Sequence, residues 1–209
     1  MIRVCTADNQ PIVRYGLKTY FKENADIEVV AQASDLDELV NILEDKKIDV
    51  ILLDIELSGI SSIRDIKELL KEFPGSRIVL YTTVSEKMYA PTAVKAGVSA
   101  YVSKNASLKE LENIIYKVKK GEVVVSEDVK KKIEVLSKGK KADRLFKKLS
   151  AREVEVLRYL NDGKKNKEIA EILKLDEKTI STYKLRLLAK LNVTNLVDLL
   201  NKAKTLDVI

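Results

Sequence analysis

The sequence contains no histidine and only one cysteine, Cys5. The missing histidine excludes Ser-His-Asp catalysis, histidine zinc sites and histidine-linked pH switching. A lone cysteine forms no internal disulfide, which agrees with a reducing compartment, and with no histidine beside it zinc is not expected. No apolar run approaches the ~20 residues of a membrane-spanning helix. The opening MIRVCTADN lacks the basic-then-apolar layout of a signal peptide. The expected location is therefore cytoplasmic, with no membrane partner.

What is present describes a soluble globular chain of 209 residues, 45% hydrophobic and 33% charged. Its charge is uneven. Residues 1–120 carry 17 Lys+Arg against 18 Asp+Glu, a net of −1, whereas 121–209 carry 21 against 14, a net of +7. A near-neutral first part and a basic second part point to a polyanion met by the second. A solvated lysine-rich surface would give the same count.

The first 120 residues alternate. Apolar, β-branched runs occupy 2–7, 27–33, 49–54, 77–82 and 100–103, and helical patterns follow at 11–24, 35–46, 61–73, 86–96 and 107–120. Five such units predict a doubly wound α/β fold with a five-stranded parallel sheet. Beyond Gly121 strands fade. A helix is expected over 126–136, capped by Ser126, and a charged linker over 137–148. Four short helices should follow, at about 150–161, 166–174, 177–191 and 195–204. Ser150 and Glu153 form a capping-box signature, Asn192 ends the third helix, and Asn195 caps the fourth. The expected division is 1–120, a helix and linker over 121–148, and an all-α domain over 149–209.

Ligands of such sheets bind beyond the C-terminal strand ends. Asp8, Asp54, Thr82 and Lys104 follow or end strands one, three, four and five, so one rim collects them. Two carboxylates there can hold Mg²⁺. A metal-bound Asp54 can attack a phosphoryl group, while a hydroxyl and an ammonium bind the phosphoryl oxygens. Taken singly, each residue is as well explained as a cap or a solvated charge.

The stretches ILLDIELSGI, LYTT and KAGVSAYVSK around these residues resemble the receiver domain of two-component response regulators, which has a flavodoxin-like fold. The resemblance implies that Asp54 accepts a phosphoryl group from a sensor histidine kinase, assisted by Thr82 and Lys104. It implies Mg²⁺ on Asp8, position 9, Asp54 and the main-chain carbonyl of Glu56, and a switch through Thr82 and Tyr101. Two positions depart from the pattern. Asn9 stands where the family has a second acid, and Ser58 stands where it usually has proline; Gly59 is kept. Asn9 leaves three readings open: weaker metal affinity, a site biased toward its active shape, or a receiver that works without phosphorylation. Tyr81 and Cys5 are expected to pack in or near the sheet.

In DEKTISTYKLRLLAKL, Ile180, Leu187 and Leu191 share one face, flanked by Tyr183 and Leu188. The opposite face carries Ser181, Thr182, Leu185 and Ala189, with Arg186 at its edge. Short polar groups flanked by cations suit the major groove of DNA, although an ordinary surface helix has the same wheel. The pieces REVEVL, NKEIA, KTIS and KLNV, in this order, resemble the LuxR-type helix-turn-helix. By that resemblance 178–191 is the recognition helix and 166–174 its support. Base readers would be Ser181, Thr182, Lys184 and Leu185. Phosphate contacts would be Asn166, Lys167, Lys178, Thr179, Tyr183, Arg186 and Lys190. The final helix, through Val197 and Leu200, would mediate a homodimer. Lys165 stands where the family often caps the supporting helix with Ser or Thr.

Receiver followed by LuxR-type helix-turn-helix is the arrangement of NarL/FixJ-type response regulators. The implied protein is a non-enzymatic, DNA-binding transcriptional regulator switched at Asp54. Its rivals are a phosphorylation-independent regulator with a dimerising receiver, and a Mg²⁺-dependent phosphatase. The missing second acid and the lack of a substrate-sized insertion count against the phosphatase.

Overall fold

The computed structural model describes residues 1–84, 86–138 and 149–205. Residues 139–148 of the expected linker lie outside the described residues. The described chain forms two compact units, one of Met1–Glu86 with Thr92–Val125 and the other of Lys87–Pro91 with the residues from Ser126 onward.

Along residues 1–119, β1 (Ile2–Ala7), β2 (Ile27–Ala33), β3 (Val50–Leu53), β4 (Arg77–Thr82) and β5 (Ala100–Ser103) alternate with α1 (Pro11–Tyr20), α2 (Leu36–Asp45), α3 (Ile63–Glu72), α4 (Glu86–Ala96) and α5 (Leu108–Lys119). The strands make one parallel sheet of order β2-β1-β3-β4-β5, the doubly wound topology expected from the alternation. Side chains alternate across a strand, so each face is filled by one parity. Val4, Val50, Leu52, Val79, Tyr81, Ala100 and Val102 pack with Leu17 and Phe21 and with Leu111, Ile115 and Val118 of α5. The opposite parity, Cys5, Ile51, Leu53, Ile78 and Leu80, is equally buried. A sheet buried on both faces needs near-continuous apolar strands, which these are.

The expected helix 11–24 stops at Tyr20 and tightens into a single 3₁₀ turn, Phe21–Glu23. Asn24 ends it, because its Oδ1 accepts from the N–H groups of Asp26 and Ile27, both at 2.9 Å. Past α5, Val124 bridges to the outer edge of β5 at Ala100.

Cys5 lies fully inside, and burial pushes its thiol up to about 12. The native thiol therefore stays protonated and unreactive at neutral pH. The raised value also removes stability as pH climbs from the ordinary 9.0 toward 12, since the unfolded thiol ionises first. Iodoacetamide labelling at pH 8 is expected to track the urea unfolding curve. Rapid labelling of native protein would contradict this burial.

The second unit contains α6 (Glu127–Lys138), α7 (Ala151–Asn161), α8 (Asn166–Leu173), α9 (Glu177–Leu191) and α10 (Leu196–Thr205). The α6 helix runs two residues beyond the expected 136, to Lys138. The Ser150–Glu153 capping box opens α7, and Asn192, at φ 52°, ends α9. Asn195 caps α10 by accepting from Asp198 N–H at 2.9 Å. Lys165 has no acceptor to offer α8, and only the reverse half of a capping box is made, Lys165 N–H to Glu168 at 2.7 Å. Among the described residues, no helix is long and apolar enough to cross a membrane.

Candidate functional site

The rim is assembled by the sheet itself. Parallel strands leave their last carbonyls in register, and the next residues hang from them. Asp54 N–H donates to Ala7 O at 2.9 Å and Lys104 N–H to Thr82 O at 2.9 Å. Asp8, Asp54 and Thr82 are all buried. The Lys104 ammonium bridges Asp8 Oδ2 at 2.7 Å and Asp54 Oδ2 at 2.6 Å. Burial pushes Lys104 down, but hydrogen bonds and charge from Asp54 and Asp8 outweigh it and hold the amine above its ordinary value. Thr82 Oγ1 donates to Asp54 Oδ1 at 2.8 Å, and Glu56 N–H donates to the same oxygen at 3.1 Å. All four residues expected at one rim are thus linked, Asp8 to Asp54 through Lys104 and Thr82 to Asp54 directly.

Tyr101 is buried, and its hydroxyl donates to Val84 O at 3.1 Å. Val84 N–H in turn donates to Thr82 Oγ1 at 3.3 Å. A hydrogen-bonded path therefore joins Asp54, Thr82, Val84 and Tyr101.

Asn9 is exposed and takes different partners. Its Nδ2 donates to Glu56 O at 2.6 Å, and its Oδ1 accepts from Ser58 N–H at 2.8 Å and Ser58 Oγ at 3.1 Å. Gln10 N–H holds Asp8 Oδ1 at 2.8 Å, and Arg14 donates to the Asp8 carbonyl. Gly59 adopts φ 91°, and a Cβ there would lie 2.7 Å from Leu36 Cβ. Both facts require glycine beside Ser58. Among the described residues no group of three or more His, Cys, Asp or Glu converges on a metal position. Two carboxylates gathered around one cation are nevertheless hard oxygen donors that fit Mg²⁺.

On α9, Ile180, Leu187 and Leu191 are buried, while Tyr183, Lys184 and Leu188 are half-buried. Lys178, Thr182, Leu185, Arg186 and Ala189 are exposed, with Ser181 and Thr179 half-buried. Leu185 is 66% exposed. Asn166 Nδ2, from α8, donates to Ser181 Oγ at 3.1 Å, and Thr182 Oγ1 donates to Lys178 O at 2.9 Å. Arg186 lies over the Tyr183 ring at 5.8 Å. Lys167 is exposed. On α10, Val197 is 67% exposed and Leu200 is half-buried.

Lys190, expected to meet phosphate, has a carboxylate partner within the protein. Its ammonium sits 2.6 Å from Glu153 Oε2, a carboxylate only 2% exposed that also accepts from Ser150 N–H at 2.6 Å. The sequence marks Glu153 as a cap and gives no sign of this partner, because the contact spans 37 residues.

Two family patterns match the chain. The response regulator receiver domain matches residues 4–116, and the bacterial regulatory proteins of the luxR family match residues 147–203. Fimbriae Z protein of Salmonella typhimurium is 33% identical over 97% of this chain and 96% of its own. Response regulator UvrY of Escherichia coli is 28% identical over 97% and 94%. Among solved structures, RcsB of Salmonella typhimurium is similar at a TM-score of 0.76 and 28% identity, over 98% of each chain. RcsB from Salmonella enterica serovar Typhimurium, bound to promoter rprA with the phosphomimetic BeF₃⁻, is similar at a TM-score of 0.73 and 28% identity, over 97% of this chain and 98% of that one. With receiver and luxR patterns matched in order and similarity running the length of the chain, the protein belongs to the two-component response regulators with a LuxR-type DNA-binding domain.

Proposed function

We propose that the protein is a cytoplasmic transcriptional regulator whose DNA binding is switched by phosphorylation of Asp54. The carrying observation is the buried contact set in which Asp54 meets Lys104, Thr82 and, through Lys104, Asp8. A carboxylate oxygen of Asp54 attacks the phosphorus of a phosphohistidine on the sensor kinase. A P–O bond forms, the P–N bond breaks, and the imidazole leaves with the electron pair and takes up a proton. Lys104 and Thr82, already on the carboxylate, pass to the incoming phosphoryl oxygens. Asp8, Asp54 and the Glu56 carbonyl would hold Mg²⁺, which neutralises charge on those oxygens when bound.

Moving the Thr82 hydroxyl from Asp54 to the phosphoryl group changes what Val84 and Tyr101 can bond. That gives phosphorylation a differential hold on two receiver conformations, the requirement for a population shift. In the second unit Ser181, Thr182 and Leu185 would read base edges, with half-buried Lys184 at their margin. Asn166, Lys167, Lys178, Thr179, Tyr183 and Arg186 would meet phosphates. Val197 and Leu200 would pair two copies, and dimerisation raises affinity without new base contacts.

The test is intact mass after incubation with acetyl phosphate, with and without Mg²⁺, beside Asp54→Ala. One Mg²⁺-dependent phosphoryl adduct is expected, and none in Asp54→Ala. An adduct that persists in Asp54→Ala would move the acceptor elsewhere. No adduct in wild type, together with DNA binding indifferent to the sensor kinase, would leave a phosphorylation-independent regulator.

A further inference from the structure

Resting on the Mg²⁺ site just proposed, we infer that Asn9 is not a metal ligand but a clamp that closes the acceptor loop without metal and competes with Mg²⁺ for the Glu56 carbonyl. The amide is used at both ends. Its oxygen accepts two hydrogen bonds from Ser58, main-chain N–H at 2.8 Å and hydroxyl at 3.1 Å, which fills its two lone-pair positions. Its nitrogen donates to Glu56 O at 2.6 Å. This geometry also fixes which end is oxygen, since the Ser58 N–H can only donate and the Glu56 carbonyl can only accept.

A carboxylate at position 9 could take the Ser58 N–H but could not donate to Glu56. A proline at position 58 would remove the N–H that Asn9 holds. The two departures from the family pattern are therefore the two halves of one contact, 49 residues apart in sequence. The contact extends further, because Ser58 O accepts from Leu36 N–H at 2.8 Å and Ser58 bridges to Asp35. The clamp thus ties together the loops after β1, β2 and β3, a fastening that a metal bound to both first and third loops would otherwise supply. The Asn9 N–H group already draws on the Glu56 oxygen at 2.6 Å, so Mg²⁺ taking the same oxygen weakens that hydrogen bond, while the Ser58 hydrogen bonds stay.

The clamp and ligand roles predict opposite signs for Asn9→Ala. Mg²⁺ titration by calorimetry on the full chain is expected to show binding about fivefold tighter in Asn9→Ala, the factor for one net hydrogen bond removed from competition. Equal or weaker binding overturns the clamp. Wild-type protein gives an independent reading through hydrogen exchange of the Ser58 amide. Protection is expected in EDTA and should persist at saturating Mg²⁺. Loss of protection on Mg²⁺ binding would mean that Asn9 Oδ1 turns to the metal, and the inference fails. No Mg²⁺ binding in wild type, Asn9→Ala or Asn9→Asp would instead sink the metal site, and the competition with it.

Discussion

Lys104→Met is expected to cost the receiver about 3 kcal/mol in metal-free buffer, a fall of roughly 10 °C in its melting temperature. Among the described residues, Lys104 is the cation within salt-bridge distance of both Asp8 and Asp54. All three side chains are less than 10% exposed. Removing the ammonium leaves two buried carboxylates facing one another with no positive charge between them, and a broken buried pair costs more than the pair ever contributed. Methionine keeps most of the stem's volume, so the loss reports charge and not a cavity.

Mg²⁺ should restore part of the stability of Lys104→Met and do less for wild type, where the ammonium already neutralises the pair. The raised pKa of Lys104 sets the pH window. Its contribution is complete below the ordinary lysine value of 10.5 and is lost only as pH rises through the higher folded value. Thermal melts in EDTA and in Mg²⁺, at pH 7 and above 10.5, check all of this. An unchanged melting temperature in EDTA would show that the carboxylates do not depend on the amine.

The rim was legible in the sequence because it needs only two facts: strands run to Ala7, Leu53, Thr82 and Ser103, and parallel strands end together. The apolar runs give the first and the alternation of strands and helices gives the second. The buried stripe of α9 was legible for a similar reason, since Ile180, Leu187 and Leu191 follow the helical period. The partners of side chains that could turn either way were not legible. Asn9 has a metal role by resemblance and a Ser58 role by contact, and nothing local separates the two. Lys190 lies on a helix rich in cations, and only the packing of α7 against α9 brings a buried carboxylate to it. Local periodicity encodes faces, whereas pairings across tens of residues depend on how those faces are stacked.

That distinction predicts opposite phenotypes for two neighbouring cations. Binding of the protein to any duplex is expected to weaken by about a thousandfold between 50 and 200 mM salt, the loss for roughly six neutralised phosphates. Arg186 is exposed and braced on Tyr183, so Arg186→Ala should lower the salt slope by about 0.9 for each phosphate the guanidinium neutralises and leave unfolding unchanged. Lys190→Ala should do the reverse. Its ammonium is engaged by Glu153, so the slope stays put, while the helical domain loses about 2 kcal/mol from a buried carboxylate stripped of its cation. Glu153→Gln in the Lys190→Ala background should recover much of that stability, because a neutral amide still accepts the Ser150 N–H without needing a counter-charge. Fluorescence anisotropy across salt, paired with urea melts of the same variants, separates the two effects. A reduced slope in Lys190→Ala would mean that DNA draws the lysine off Glu153, and that the ion pair belongs to the unbound protein alone.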